Sequence, residues 1–318
     1  MPASLGRLLY LAWHQPRARW LDARDRRAGK RGDVAMRKAA ARIPPATLAD
    51  WGLAGPPVRF LTGARFVHQT IFCARSFEWA CGTHTRIEIF SDGTLGPDEC
   101  VLLKRALPHA MIADDTATSQ RLDTVLPTAS FPLLREMRET QPLMCKLLDL
   151  HAGLSGPALY LDSDMLFFAA PATLRDWLRV QRGEWFMEQS GDALVGERVE
   201  LGNRLGLNLA AGVNSGILAL EDSAFDWPAL ERTAATFTPA ERAHKWAEQT
   251  LFAVHVSRRF ARALSRLDYV LCHGREDFAD PAPALRHYVH KAKSIYAARE
   301  WRHWLAQQTT TPAGPRLP

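Results

Sequence analysis

The sequence predicts an α/β fold, a mixed but mostly parallel sheet with helices on both faces, and two observations carry that prediction. From Val58 onward, short β-rich or apolar runs alternate with segments at helical spacing, the βαβ rhythm of a sheet covered on both sides. In mid-chain the apolar run Ala158 to Leu161 has the length of a buried strand, and it ends on two carboxylates, Asp162 and Asp164, before Met165 to Phe168 resume. In open α/β sheets the carboxyl end of a strand is where ligands bind.

Composition narrows the class. The 318 residues suffice for one large domain, and 47% hydrophobic with 23% charged is average for a globular enzyme. No apolar stretch approaches the ~18 residues of a membrane span. The apolar run Leu8 to Trp13 is too short for a secretory signal and leads into arginines. Five scattered cysteines without a Cys-X-X-Cys point away from a cysteine zinc site or disulfide framework and toward a reducing cytoplasm. Residues 1–42 hold eleven Lys and Arg against three Asp, an excess of eight in a chain of net charge +6, so the remainder carries −2. A nearly neutral body does not suit a nucleic-acid groove, so no nucleic-acid partner is expected.

In chain order, residues 1–57 read as a basic, proline-containing N-terminal extension. Leu5, Leu8, Leu9, Ala12 and Trp13 fall at helical spacing, Pro16 is expected to stop that helix, and a Lys/Arg-rich stretch follows. Such a segment is a partly disordered or surface-packed extension, or a basic amphipathic stretch resting on anionic lipid, which would place the protein on the inner membrane face. Nucleic-acid binding by this segment is the remaining alternative. A domain over residues 58–308 follows, with a short tail at 309–318. Within it Phe66 to Cys73 is β-rich, Arg86 to Phe90 is a strand closed by Ser91-Asp92-Gly93, and Pro97 to Leu107 is helical. His109 to Ala113 is apolar again, and Leu133 to Leu150 reads as one long helix. A helix over Pro171 to Val180 and a strand over Glu184 to Met187 come next. Gly191 to Asn208 is glycine-rich without a dinucleotide fingerprint and reads as a mobile loop. Ala211 to Leu220 is a strand, Glu241 to Val256 a helix, Leu285 to His290 a late strand, and Ser294 to Gln308 a closing helix.

The chemistry concentrates at the acid pair. Two carboxylates inside an apolar run cost several kcal/mol each unless a cation or water meets them. Asp162 and Asp164 at a strand end therefore suit a divalent cation carrying a diphosphate, with hard oxygen ligands whose shell the phosphates complete.

Further signals follow in a fixed order: Lys146 before the strand, Tyr160-Leu161-Asp162-Ser163-Asp164, Asn214-Ser215-Gly216, Glu248-Gln249, then His287-Tyr-Val ahead of Lys293. This order resembles the family-eight glycosyltransferases, the glycogenin and lipopolysaccharide galactosyltransferase type, over residues 60 to 305. The resemblance implies a GT-A nucleotide-diphospho-sugar transferase fold and a hexosyltransferase that retains anomeric configuration. It implies Mn²⁺ (or Mg²⁺) on Asp162, Asp164 and His287, with a UDP-sugar favoured as donor and a glycan or lipid-linked hydroxyl as acceptor. It also implies donor contacts from Lys146, Asp162, Asn214, Ser215, Gly216 and Lys293, with Asn214, Glu248 and Gln249 around the transferred sugar.

The sequence departs from that pattern in places. His290 replaces the Gly of the His-X-X-Gly-X-X-Lys motif, and Ser294-Ile295 replaces its Pro-Trp. Lys146 stands where Arg is usual, which loses a planar two-pronged contact. Phe72-Cys73-Ala74-Arg75-Ser76 occupies the place of the Asp-X-Asn-Tyr that reads the nucleobase. Residues 287 and 290 point to opposite faces of a strand, and His287 is the expected ligand. Two alternatives stay open: a sugar-nucleotide-binding protein without turnover, and a haloacid-dehalogenase-type phosphatase in which the first Asp is a nucleophile.

Overall fold

The computed structural model describes residues 5–274, 278 and 283–310, with the backbone alone at 5–19, 309 and 310. The side chains of the Leu5 to Trp13 stripe and nearly all of the tail expected at 309–318 thus lie outside the described residues. The strands in chain order are β1 (Ala49–Gly52), β2 (Val58–Thr62), β3 (Thr83–Thr85), β4 (Ile87–Ser91), β5 (Met111–Ile112) and β6 (Pro157–Leu161). They continue as β7 (Met165–Phe167), β8 (Trp185–Glu188), β9 (Val213–Glu221), β10 (Arg262–Ala263), β11 (Tyr269–Cys272) and β12 (Leu285–Tyr288).

Seven strands form the central sheet in the order β10-β8-β9-β6-β2-β4-β5. β2 pairs parallel with β4 and β6, β4 with β5, and β10 with β8, while β9 runs antiparallel to both neighbours. This is the mixed, mainly parallel sheet the sequence predicts. Alternation along its strands divides the core in two. Leu159, Leu161, Ile217 and Ala219 pack on one face with Val58 and Phe60, and Tyr160, Leu218 and Leu220 pack on the other with the helix Ala247–Arg258. A smaller sheet, β11-β12-β7, sits beside it, with β12 antiparallel to β7 so that His287 pairs with Met165. That pairing brings the late strand alongside the acid turn between β6 and β7.

Several local expectations are corrected. Phe66 to Cys73 is not β but opens the helix Val67–Cys81, which is buried on nearly every side and so lacks the amphipathic period that marks a helix in sequence. The nucleobase position, Phe72 to Ser76, lies inside that helix. Leu133 to Leu150 is two helices, Pro132–Thr140 and Met144–Leu148, because Pro142 cannot continue the first. The supposed loop Gly191 to Asn208 contains the helix Arg198–Leu205, closed by Gly206 at φ 60°. The helix expected from Glu241 is two, Pro239–Arg242 and Ala247–Arg258.

Pro16 does not stop the first helix, which runs Leu5–Ala40. A proline removes one backbone hydrogen bond, and the remaining turns carry the helix across. Its C-terminal half packs on the domain, with Met36 and Ala40 in the main core. Gly29 allows the approach: a Cβ there would stand 2.9 Å from the Ser294 Cα. Asp33 accepts from Arg37 and pairs with His68 at 2.8 Å, and Lys291 reaches Asp22 at 2.7 Å.

Candidate metal and donor site

The turn between β6 and β7 is fixed by its backbone. The Asp162 N–H donates to the Gly216 carbonyl at 2.8 Å, the Tyr288 N–H donates to the Asp164 carbonyl at 2.9 Å, and the Ser163 hydroxyl lies 2.8 Å from that of Thr70. Both carboxylates are thereby held at the strand end while their neighbours pack. His287 brings Nε2 to 3.1 Å from Asp164 and 3.7 Å from Asp162. One ligand atom from each of these three residues lies within 4.8 Å of the others, a candidate Asp-Asp-His metal site.

Two lysines flank the acids. Lys293 Nζ stands 2.8 Å from Asp164 and Lys146 Nζ 3.0 Å from Asp162. Burial works against the Asp164 charge, yet His287 and Lys293 outweigh it and hold the carboxyl well below the usual range. Asp164 raises Lys293 above its ordinary value. Burial likewise opposes the Lys146 charge, but Asp162 and Glu248 overcome it and the amine is raised. Lys146 is buried against the Tyr160 ring, 4.9 Å from its centre, and the Tyr160 hydroxyl donates to Asp162.

The floor is built from β9 and the helix Ala247–Arg258. Ser215 donates its hydroxyl to Glu248 at 3.2 Å and its N–H to Gln249 Oε1 at 3.2 Å, while Gln249 Nε2 donates to the Ala193 carbonyl. Burial pushes the Glu248 carboxyl up to about 7 against the pull of Lys146, 3.6 Å away. Asn214 donates to Gln189 and accepts from the Gly216 N–H at 2.9 Å. All ten residues singled out from sequence, Lys146, Asp162, Asp164, Asn214, Ser215, Gly216, Glu248, Gln249, His287 and Lys293, line one open cavity of about 430 Å³.

His290 reaches the same cavity but not the acids: its ring stacks on His273 at 5.7 Å. Its backbone has φ +48°, so the position where the resembled motif carries glycine keeps a left-handed conformation here without one. Sequence reasoning missed Tyr160, although it sits two residues before Asp162 on the same strand face. It also missed Leu143 and Trp246, large apolar side chains exposed at the mouth. Nothing local marks those two, because only the tertiary fold brings them there.

No family model matches the chain, and no curated protein matches it. Solved structures do. Galactosyltransferase LgtC, solved with donor and acceptor sugar analogues, matches at 15% identity over 82% of this chain and 98% of that one, with a TM-score of 0.49. The bifunctional glycosyltransferase WbbM matches at 12% identity over 85% of this chain and 53% of that one, with a TM-score of 0.50. Mouse xyloside xylosyltransferase 1 matches at 10% identity over 73% and 97%, with a TM-score of 0.46. The chain thus spans about half of the bifunctional protein. At these identities the likeness is one of fold, and the fold is that of the GT-A glycosyltransferases.

Proposed function

We propose that the protein is a metal-dependent hexosyltransferase that moves a sugar from a nucleoside-diphosphate sugar, a UDP-sugar, to a hydroxyl on a glycan or lipid-linked acceptor, with retention. The observation that carries this reading is the convergence of Asp162, Asp164 and His287 on one point, between Lys146 and Lys293, at the carboxyl end of β6.

The donor set fits a divalent ion. Two carboxylates and one imidazole suit Mn²⁺ better than Mg²⁺, which keeps more strictly to oxygen. The His287 ring is oriented by packing, since its buried Nδ1 has no hydrogen-bond partner. When bound, the ion neutralises charge that develops on a departing diphosphate. Lys293, half-exposed and reaching over Asp164, is placed to meet the same phosphates. Lys146 holds Asp162 in position and is itself buried, so its positive charge is weakly screened where it faces the cavity. Asn214, Glu248 and Gln249 present polar groups to sugar hydroxyls from the cavity floor, and Trp246 at the mouth offers an apolar face to an acceptor.

The phosphatase alternative needs Asp162 as a free nucleophile, whereas Tyr160 and Lys146 already occupy its Oδ1. Binding without turnover has one observation in its favour: both ends of the Gln249 amide are already engaged by Ser215 and Ala193.

The test is release of nucleoside diphosphate from UDP-glucose and UDP-galactose without acceptor. Slow release that needs Mn²⁺ and stops with chelator supports transfer chemistry. Tight binding with no release from any donor selects the alternative.

A further inference from the structure

A second cluster shares no residue with the cavity above. Glu78 on the helix Val67–Cys81, His84 on β3, and His109 between the helix Pro97–Ala106 and β5 converge so that one ligand atom of each lies within 4.8 Å of the others. The Glu78 carboxylate is fully buried, whereas the His84 and His109 side chains keep 14% and 18% exposure. His109 Nε2 stands 2.8 Å from Glu78 Oε1, which also accepts the Thr85 N–H at 2.7 Å, and His84 Nδ1 stands 3.4 Å from Oε2. The two imidazole rings are 4.5 Å apart, centre to centre.

We infer that Glu78, His84 and His109 form a zinc-class transition-metal site, independent of the donor site. The Glu78 carboxylate is buried and faces both imidazoles, one on each oxygen, so three ligand-type groups converge at one partly open point. A divalent ion satisfies all three groups at once. Tetrahedral Zn²⁺ with donors at about 2.0–2.1 Å places them roughly 3.3 Å apart. His84 Nδ1 stands 3.4 Å from one Glu78 oxygen, and His109 Nε2, 2.8 Å from the other, would move out by about half an ångström to admit the ion. Two imidazoles and one carboxylate form a borderline donor set that favours Zn²⁺ over Mn²⁺ or Mg²⁺. The partly exposed side leaves the fourth position to water, with Asp50 near His84. Imidazole binds through a bare ring nitrogen, so each ring would carry its hydrogen on the nitrogen turned away from Glu78, and a second ring proton, where present, leaves to solvent. Because β3 pairs with β1, the ion would tie the Ala49–Gly52 segment to the helix Val67–Cys81.

Metal-free full-length protein titrated with Co²⁺ reports directly on this site. The expected result is a visible d–d band saturating near one equivalent and displaced by Zn²⁺. The band should persist in Asp164→Asn and vanish in His84→Ala and His109→Ala. His109→Gln serves where the alanine variant does not fold, with far-UV circular dichroism as the control. Absence of the band in wild type, its survival in the folded histidine variants, or its loss in Asp164→Asn would overturn the inference.

Discussion

The imidazole of His287 stands against the bare Cα of Gly216, so that a Cβ there would lie 2.6 Å from Cε1 and 2.9 Å from Nδ1. The same Cβ would come 2.8 Å from Asn214 Oδ1, which accepts the Gly216 N–H. Glycine at this position therefore makes room for the His287 ring, the proposed metal ligand, and for the Asn214 side chain that accepts the Gly216 N–H. The first prediction is that Gly216→Ala weakens Mn²⁺-dependent donor binding at least tenfold while the protein stays folded. Calorimetry and thermal melting check it. An unchanged affinity would mean the His287 position does not matter.

His290 supplies the second. Its left-handed φ disfavours most side chains, by about 1 kcal/mol or more for a β-branched one. His290→Gly is expected to leave stability within about 0.5 kcal/mol, because relief of strain offsets the added freedom of the unfolded chain. His290→Val is expected to cost about 1–2 kcal/mol. Donor affinity in His290→Gly should match wild type, since the ring stacks on His273 and not on the acids. Urea unfolding and donor titration of both variants give the answer.

These two predictions also show what was legible in the sequence. Asp162 and Asp164 could be read because two acids interrupt an apolar run. The preference for His287 over His290 rests on a strand expected over Leu285 to His290, but the strand ends at Tyr288 and His290 lies in a left-handed turn beyond it, so alternation does not separate the two rings. The Gly216 contact could not be read, because it joins β9 to a strand 71 residues later whose pairing with β7 no local pattern announces. The helix Val67–Cys81 was hidden by burial on nearly every side. The seating of the first helix had one unread signal, Gly29 and Gly32, three residues apart where the helix presses on Ser294 and Ala297.

The third prediction concerns acid stability. Burial, with the nearby positive charge of His151 and Arg259, pushes His255 down to about 3, and its ring stacks on Phe225 at 3.9 Å. Unfolded, it binds a proton near pH 6.5, so between about pH 6.5 and 3 the unfolded state holds a proton that the folded state lacks. The His255 contribution is thus complete above pH 6.5 and is lost as pH falls, at up to ~1.4 kcal/mol per pH unit. His255→Phe keeps the stacking and removes the titration. Its stability should fall less steeply from pH 6 to 4, and parallel slopes in urea unfolding would contradict this.

The fourth concerns membrane attachment. Along the described part of the first helix, Arg24, Arg27, Lys30, Arg31 and Lys38 are exposed together with Trp20 and Val34. Basic residues close to an anionic surface contribute roughly 1 kcal/mol each, and salt screens them. Because Met36 and Ala40 belong to the core, the useful truncation removes residues 1–19 and leaves the rest. The full-length protein should sediment with anionic vesicles at low salt, less at high salt, and little with neutral ones. The truncation should weaken this without changing donor hydrolysis. Equal binding to neutral vesicles would refute an electrostatic attachment.

The central claim is that Asp162, Asp164 and His287 hold a divalent ion that in turn holds a nucleotide-sugar. Calorimetric titration of UDP-glucose and UDP-galactose into the full-length protein, with Mn²⁺ and then with chelator, tests it most directly. The account predicts saturable binding with Mn²⁺ to at least one donor, none with chelator, and loss of the Mn²⁺-dependent signal in Asp164→Asn. Equal binding with and without metal, or undiminished binding in Asp164→Asn, would contradict it.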